Sequence, residues 1–144
     1  NAQDTFMSST FWTERIGPSA ALKTLEFMKK NKTWRHIIAK GRYIKKEIKK
    51  ISSRTKIPLT VSGLDAFPTI TFQKKNKFYK TFVTQEMLKK GFLASNIIFL
   101  SIAHTQKIID NYLFNLETIL NKTKNNKNFK LRGKICHSTF KRLT

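Results

Sequence analysis

The apolar residues change period along the chain, and that change limits the fold more than any other feature. In residues 105–120, TQKIIDNYLFNLETIL, the positions Ile108, Ile109, Tyr112, Leu113, Leu116, Ile119 and Leu120 recur at spacings of three and four, the repeat of one helix face. Thr105 stands where a capping hydroxyl belongs. Trp34, Ile37, Ile38, Ile44, Ile48 and Ile51 repeat in the same way behind Thr33, with lysines on the opposite face. Ala21, Leu22, Leu25 and Met28 do so behind Gly17-Pro18, a proline that suits a first helical turn.

Between these helices the period shortens. Residues 58–61 and 69–72 (TITF) are short and β-branched, with a Gly63 to Pro68 turn region between them, so two strands are expected. Residues 74–80 read as a charged connection. TFVTQEMLKKG is helical and closes at Gly91, a position suited to a helix C-cap. Residues 92–100 return to strand-like apolar residues. The order helix, helix, strand, strand, helix, strand, helix predicts an α+β domain, a small sheet covered by helices. Beyond Asn121, KTKNNKNFK reads as a flexible linker.

Composition narrows the function. The chain has 144 residues, 40% of them hydrophobic, with twelve phenylalanines, enough to bury a core. No apolar run reaches the length of a membrane span, and the first residues lack the order of a signal peptide. One cysteine, Cys136, excludes an intrachain disulfide and any multi-cysteine zinc site. The expected compartment is the cytoplasm, with no membrane partner. The chain begins at Asn1, inside a pattern rather than at a start signal, as expected of a fragment of something longer.

A net charge of +21 invites a nucleic-acid reading. The charge comes from 23 lysines and only six arginines, spread along the chain, whereas base reading and bidentate phosphate contacts favour arginine. Lysines that simply fill solvated positions account for the pattern better, so no nucleic-acid partner is expected, and a basic nucleic-acid-binding module stands as the alternative.

Little of the sequence looks like catalysis. There is no glycine-rich phosphate loop and no HExxH arrangement, and only eight acids are present. The histidines His36, His104 and His137 lack metal-ligand spacing, and no metal site is expected. Cys136 and His137 are neighbours that would point to opposite faces of a strand, a poor nucleophile–base pair. His104, in SIAHT, lies between a predicted strand and a helix cap. The exception is SSTFWTERIGP, residues 8–18. Ser8, Ser9, Thr10 and Thr13 place four hydroxyls before a helix start whose free N–H groups favour an anion. A hydroxyl-rich turn stapled by Phe11 and Trp12 explains the same residues.

AQDTFMSSTFWTERIGPSAAL, TFVTQEMLKKGFLAS and FLSIAHT, in that order, resemble the C-terminal part of class III pyridoxal-phosphate (PLP) aminotransferases, of the glutamate-1-semialdehyde aminotransferase-like kind. The resemblance runs from about Asn1 to Asn121, and CHSTFKRLT is similar to tails of this group. It implies the small C-terminal domain of a fold-type-I PLP-dependent transferase, with pyridoxal 5'-phosphate as cofactor. Small amine and keto substrates, and a homodimer with active sites at the interface, are implied with it. Residues 1–17 would then carry the phosphate-contact loop from the large domain, 18–121 the small domain, and 122–144 a basic linker and tail.

In this family a threonine five residues before a proline donates its hydroxyl to the cofactor phosphate, which here is Thr13 before Pro18. Phe11, Trp12, Glu14 and Arg15 replace the small residues usual around it. No lysine here sits in the family's Schiff-base motif, so no catalytic residue is assigned and the fragment alone is expected to be inactive. LASNIIFL is shorter than the equivalent segment of the semialdehyde mutases and has no acid. That points to a transaminase acting on another amine or keto compound, with a non-catalytic remnant that only dimerises as the further alternative.

Overall fold

A computed structural model describes residues 14–125 and 131–137. The chain falls into two units, Asn1–Thr33, of which residues 14–33 are described, and Trp34–Thr144.

The first unit is one helix, α1 (Ile16–Asn31). It starts two residues before Pro18, which therefore sits inside the first turn, where a missing N–H removes no intrahelical bond. The Glu14 carboxylate accepts the N–H groups of Ile16 at 2.9 Å and Gly17 at 3.1 Å. Lys32, left-handed at φ 47°, ends the helix with its N–H on Lys29 O. The apolar stripe is present on a helix that buries none of its residues; Leu22, Leu25 and Phe27 are all exposed.

The second unit is built from helices α2 (Thr33–Thr55, all but its first residue), α3 (Asn76–Leu88) and α4 (Gln106–Asn125), with strands β1 (Leu59–Ser62) and β2 (Thr69–Phe72). Ile44, Ile48 and Ile51 of α2 are buried at spacings of four and three. Ile109, Leu113, Leu116 and Leu120 of α4 are buried in the same rhythm, as expected of two helices sharing a core. The strands pair antiparallel, Leu59 opposite Phe72 and Val61 opposite Ile70, so Leu59, Ile70 and Phe72 turn inward. α3 adds Phe82, Val83 and Met87 and packs on β2 and α4.

Two polar ties join α2 to α4. Arg54 grips Glu117 with both arms, at 2.6 and 2.8 Å, and Tyr43 donates to Asp110 at 2.8 Å. The β1–β2 turn lies directly on α2 at Gly41, where an added Cβ would stand 1.7 Å from Asp65 O. Lys45 holds that turn by donating to Gly63 O at 2.6 Å and to Asp65 at 2.7 Å, and Arg42 adds a contact at 3.0 Å.

Three local expectations change. Residues 92–100 do not form a strand. They run beside residues 66–70 and make a single bridge, Ile97 to Thr69, with N–H to O bonds Ile70–Asn96, Ile98–Pro68 and Leu100–Ala66. Pro68 has no N–H to return the bond from Ile98, so the ladder loses a rung at its centre. Ser95 Oγ also accepts the Ile97 N–H at 3.1 Å, turning the backbone just before the bridge.

The charged connection is the second change, because α3 begins inside it at Asn76, whose side chain accepts the Phe72 N–H at 3.1 Å. Tyr79 then stacks on Phe72 and meets Phe78 edge-on, and Phe78 stacks on Phe82, holding the lysine-rich first turns helical. Thirdly, α4 runs past Asn121 to Asn125, anchored by the buried Thr123.

The tail 131–137 returns along α3. The Arg132 N–H donates to Gln85 Oε1 at 2.7 Å and the Cys136 N–H to Thr81 Oγ1 at 3.0 Å. Among the described residues no helix is long and apolar enough to cross a membrane.

Candidate functional site

Of the residues singled out in SSTFWTERIGP, Ser8, Ser9, Thr10, Phe11, Trp12 and Thr13 lie outside the described residues. The residues that follow are placed. Glu14, read from sequence as a departure from the family, fills the N-terminus of α1 with its own carboxylate. The backbone donors that would attract an exogenous anion there are therefore already engaged. No sequence signal marked Glu14 as a cap beyond its place two residues ahead of the helix.

Cys136 and His137 do not meet as a pair. The Cys136 thiol donates to Lys77 O at 3.6 Å, while His137 is exposed. His36 is exposed on α2.

His104 occupies a defined place. Its Nδ1 accepts the Ser101 backbone N–H at 3.0 Å and lies 3.3 Å from Ser101 Oγ. Since Nδ1 is an acceptor, the neutral ring carries its hydrogen on Nε2. Thr105 then caps α4 by accepting the Ile108 N–H at 3.3 Å, as the sequence indicates.

His104 lines a cavity of about 550 Å³ to which no sequence pattern points. Its walls come from three places in the chain: Ile44 of α2, Phe92, Ile97 and Ile98 of the connecting segment, and Ile109 and Tyr112 of α4. Leu93 and Phe99, both well exposed, also border it. Tyr112 packs edge-on against Phe92, at 5.7 Å between ring centres. Its hydroxyl is buried with no hydrogen-bond partner among the described residues, and burial pushes its pKa well above the ordinary phenol value.

The perturbed carboxylates lie elsewhere and serve the fold. Lys45, then Arg42, hold the Asp65 carboxyl below its usual range, and the Arg54 guanidinium does the same for Glu117.

No family model matches the sequence. A 3-aminobutyryl-CoA aminotransferase from Cloacimonas acidaminovorans (strain Evry) is 34% identical over 73 residues, which is 51% of this chain and 18% of that protein. Among solved structures, the PLP internal aldimine form of the FumI protein of Sphingopyxis sp. MTA144 superposes with a TM-score of 0.76 at 22% identity. That match covers 90% of this chain and 32% of the other. The chain thus spans about a fifth of the curated relative and about a third of the structural one. These findings agree with the resemblance carried by the three sequence motifs: the fold is that of part of a PLP-dependent transferase, and the sequence is similar to that of an aminotransferase.

Proposed function

We propose that this chain is the small C-terminal part of a class III PLP-dependent aminotransferase that moves an amino group between an amino donor and a keto or aldehyde acceptor. The observation that carries the proposal is the 34% identity over 73 residues to an aminotransferase. The fold likeness over 90% of the chain is consistent with it.

When bound, PLP supplies the electron sink for amino transfer. The described residues do not by themselves make a cradle for its phosphate, because Glu14 occupies the N-terminal donors of α1. The phosphate contact rests instead on the hydroxyl of Thr13, just ahead of that cap. The Schiff-base lysine comes from another part of the enzyme, and two copies complete each other's sites. On this reading the 144-residue chain alone turns over no amino donor when PLP is added.

The test is Thr13→Ala in the enzyme that contains this chain. Loss of one hydrogen bond to a charged phosphate, worth about 1.5–3 kcal/mol, weakens PLP retention roughly ten- to hundredfold. Equilibrium dialysis of the cofactor reads this directly. Unchanged PLP affinity rejects the assignment of Thr13.

A further inference from the structure

We propose that the cavity bounded by α2, residues 92–99 and α4 binds a small molecule with a compact hydrocarbon or single-ring body ending in a carbonyl or carboxylate oxygen. The proposal goes beyond the aminotransferase reading, since every lining residue lies within 44–112 of this chain and none belongs to the phosphate-contact segment.

Two observations define the ligand. The first is size and wall chemistry. At about 550 Å³ the cavity falls in the range of small-molecule sites, and isoleucine and aromatic side chains make most of its surface. Such walls favour an apolar body that leaves water.

The second is the sign of the polar groups. No lysine, arginine, aspartate or glutamate lines the cavity in a chain that carries 29 basic and eight acidic residues. The lining residues with polar side chains are Ser95, His104 and Tyr112, and the Tyr112 hydroxyl is buried out of reach of a guest. Ser95 Oγ already accepts from Ile97. His104 has spent its acceptor, Nδ1, on Ser101, so what remains is the Nε2–H donor, which has no acceptor among the described residues. A cavity wall with an unspent donor and no carboxylate selects an acceptor headgroup. It rejects an ammonium, which would lose its hydration with nothing to replace it.

The experiment uses the isotope-labelled 144-residue chain, at neutral pH and moderate salt, titrated separately with hexanoate, hexanamide and hexylamine while backbone amide shifts are followed by NMR. Hexanoate and hexanamide are expected to bind saturably and to move amides of residues 92–99 and 104–112. Hexylamine is expected to bind at least about tenfold more weakly. His104→Leu removes the donor and weakens hexanamide about tenfold; His104→Gln, which keeps an N–H near the same place, stays within about threefold.

Circular dichroism confirms that each variant retains the parent fold, and His104→Phe serves as the donor-free variant, with the same expected tenfold loss, if His104→Leu does not fold. Equal binding of amine and amide overturns the proposal. So does hexanoate binding without hexanamide binding, which reports only the protein's positive charge. Shifts scattered over the lysine surface, or wild-type affinity in a folded His104→Leu, overturn it as well. None of these outcomes bears on PLP retention, so the two proposals fail separately.

Discussion

Gly41→Ala is the substitution on which the geometry of this fold speaks most clearly. In an exposed helix the change stabilises by about 1 kcal/mol, because alanine restricts the unfolded chain and favours the helix. Here the new Cβ would stand 1.7 Å from Asp65 O, 2.5 Å from its carbonyl carbon and 3.0 Å from its Cα. These are backbone atoms, which no rotamer change can move aside. The β1–β2 turn must retreat by about 2 Å to reach ordinary van der Waals separation.

That retreat pulls Gly63 O and Asp65 away from Lys45, which now meets them at 2.6 and 2.7 Å. Overpacking of this severity costs about 3 kcal/mol, so the net effect is destabilisation by about 2 kcal/mol. The expected fall in Tm is roughly 6–10 °C. Thermal and urea unfolding followed by circular dichroism measure it. Gly133→Ala, with no atom within 4 Å of its added Cβ, is the control and stays within about 0.5 kcal/mol of the parent. A Gly41→Ala protein as stable as the parent, or more stable, shows that the turn does not rest on α2 and that helix propensity governs the position.

Two further expectations concern polar groups. Tyr112→Phe deletes a buried hydroxyl that has no partner among the described residues and raises stability by about 1 kcal/mol; a loss of that size in urea unfolding indicates a hydrogen bond the hydroxyl already makes. Glu117 titrates below its usual range because Arg54 binds it with two hydrogen bonds. A depressed carboxyl stabilises the fold above the unfolded value of 4.5 and loses that contribution as pH falls through the folded value. The stability gap between the parent and Arg54→Met is therefore constant from neutral pH down to about pH 5 and closes below it. A gap that does not change on acidification removes Glu117 from the account.

Helices α2 and α4 were legible because each buries one face, and burial writes itself into spacing: Ile44, Ile48 and Ile51 in α2, Ile109, Leu113, Leu116 and Leu120 in α4. The hairpin was legible for a related reason, since a turn from Gly63 to Pro68 separates two β-branched runs. Residues 92–100 have strand composition but lack strand pairing, because the deciding residue, Pro68, belongs to their partner. No pattern within a segment records what its neighbour cannot donate. The lysines of NKFYK concealed the aromatic contacts that make the start of α3 helical. The cavity joins Ile44 to Phe92 and Tyr112, and only the fold brings such distant positions together. In the candidate site, Thr13 is marked by family resemblance, whereas the cap at Glu14 shows only in the folded chain, because a carboxylate ahead of a helix resembles any other surface acid in sequence.

The return of the tail along α3 divides the burden of specificity unevenly. Residues 132 and 136 contribute backbone N–H groups, which every amino acid except proline possesses. The recognising atoms belong to Thr81 and Gln85, four residues apart on one face of α3. At these two contacts the docking address is thus written in the helix and not in the segment that docks. Substitutions at Arg132 or Cys136 that spare the backbone leave these two bonds intact, while one change at Thr81 or Gln85 erases a bond whatever the tail's sequence. Over generations the tail can drift in composition and still find its place, so long as the helix keeps the two side chains that receive it.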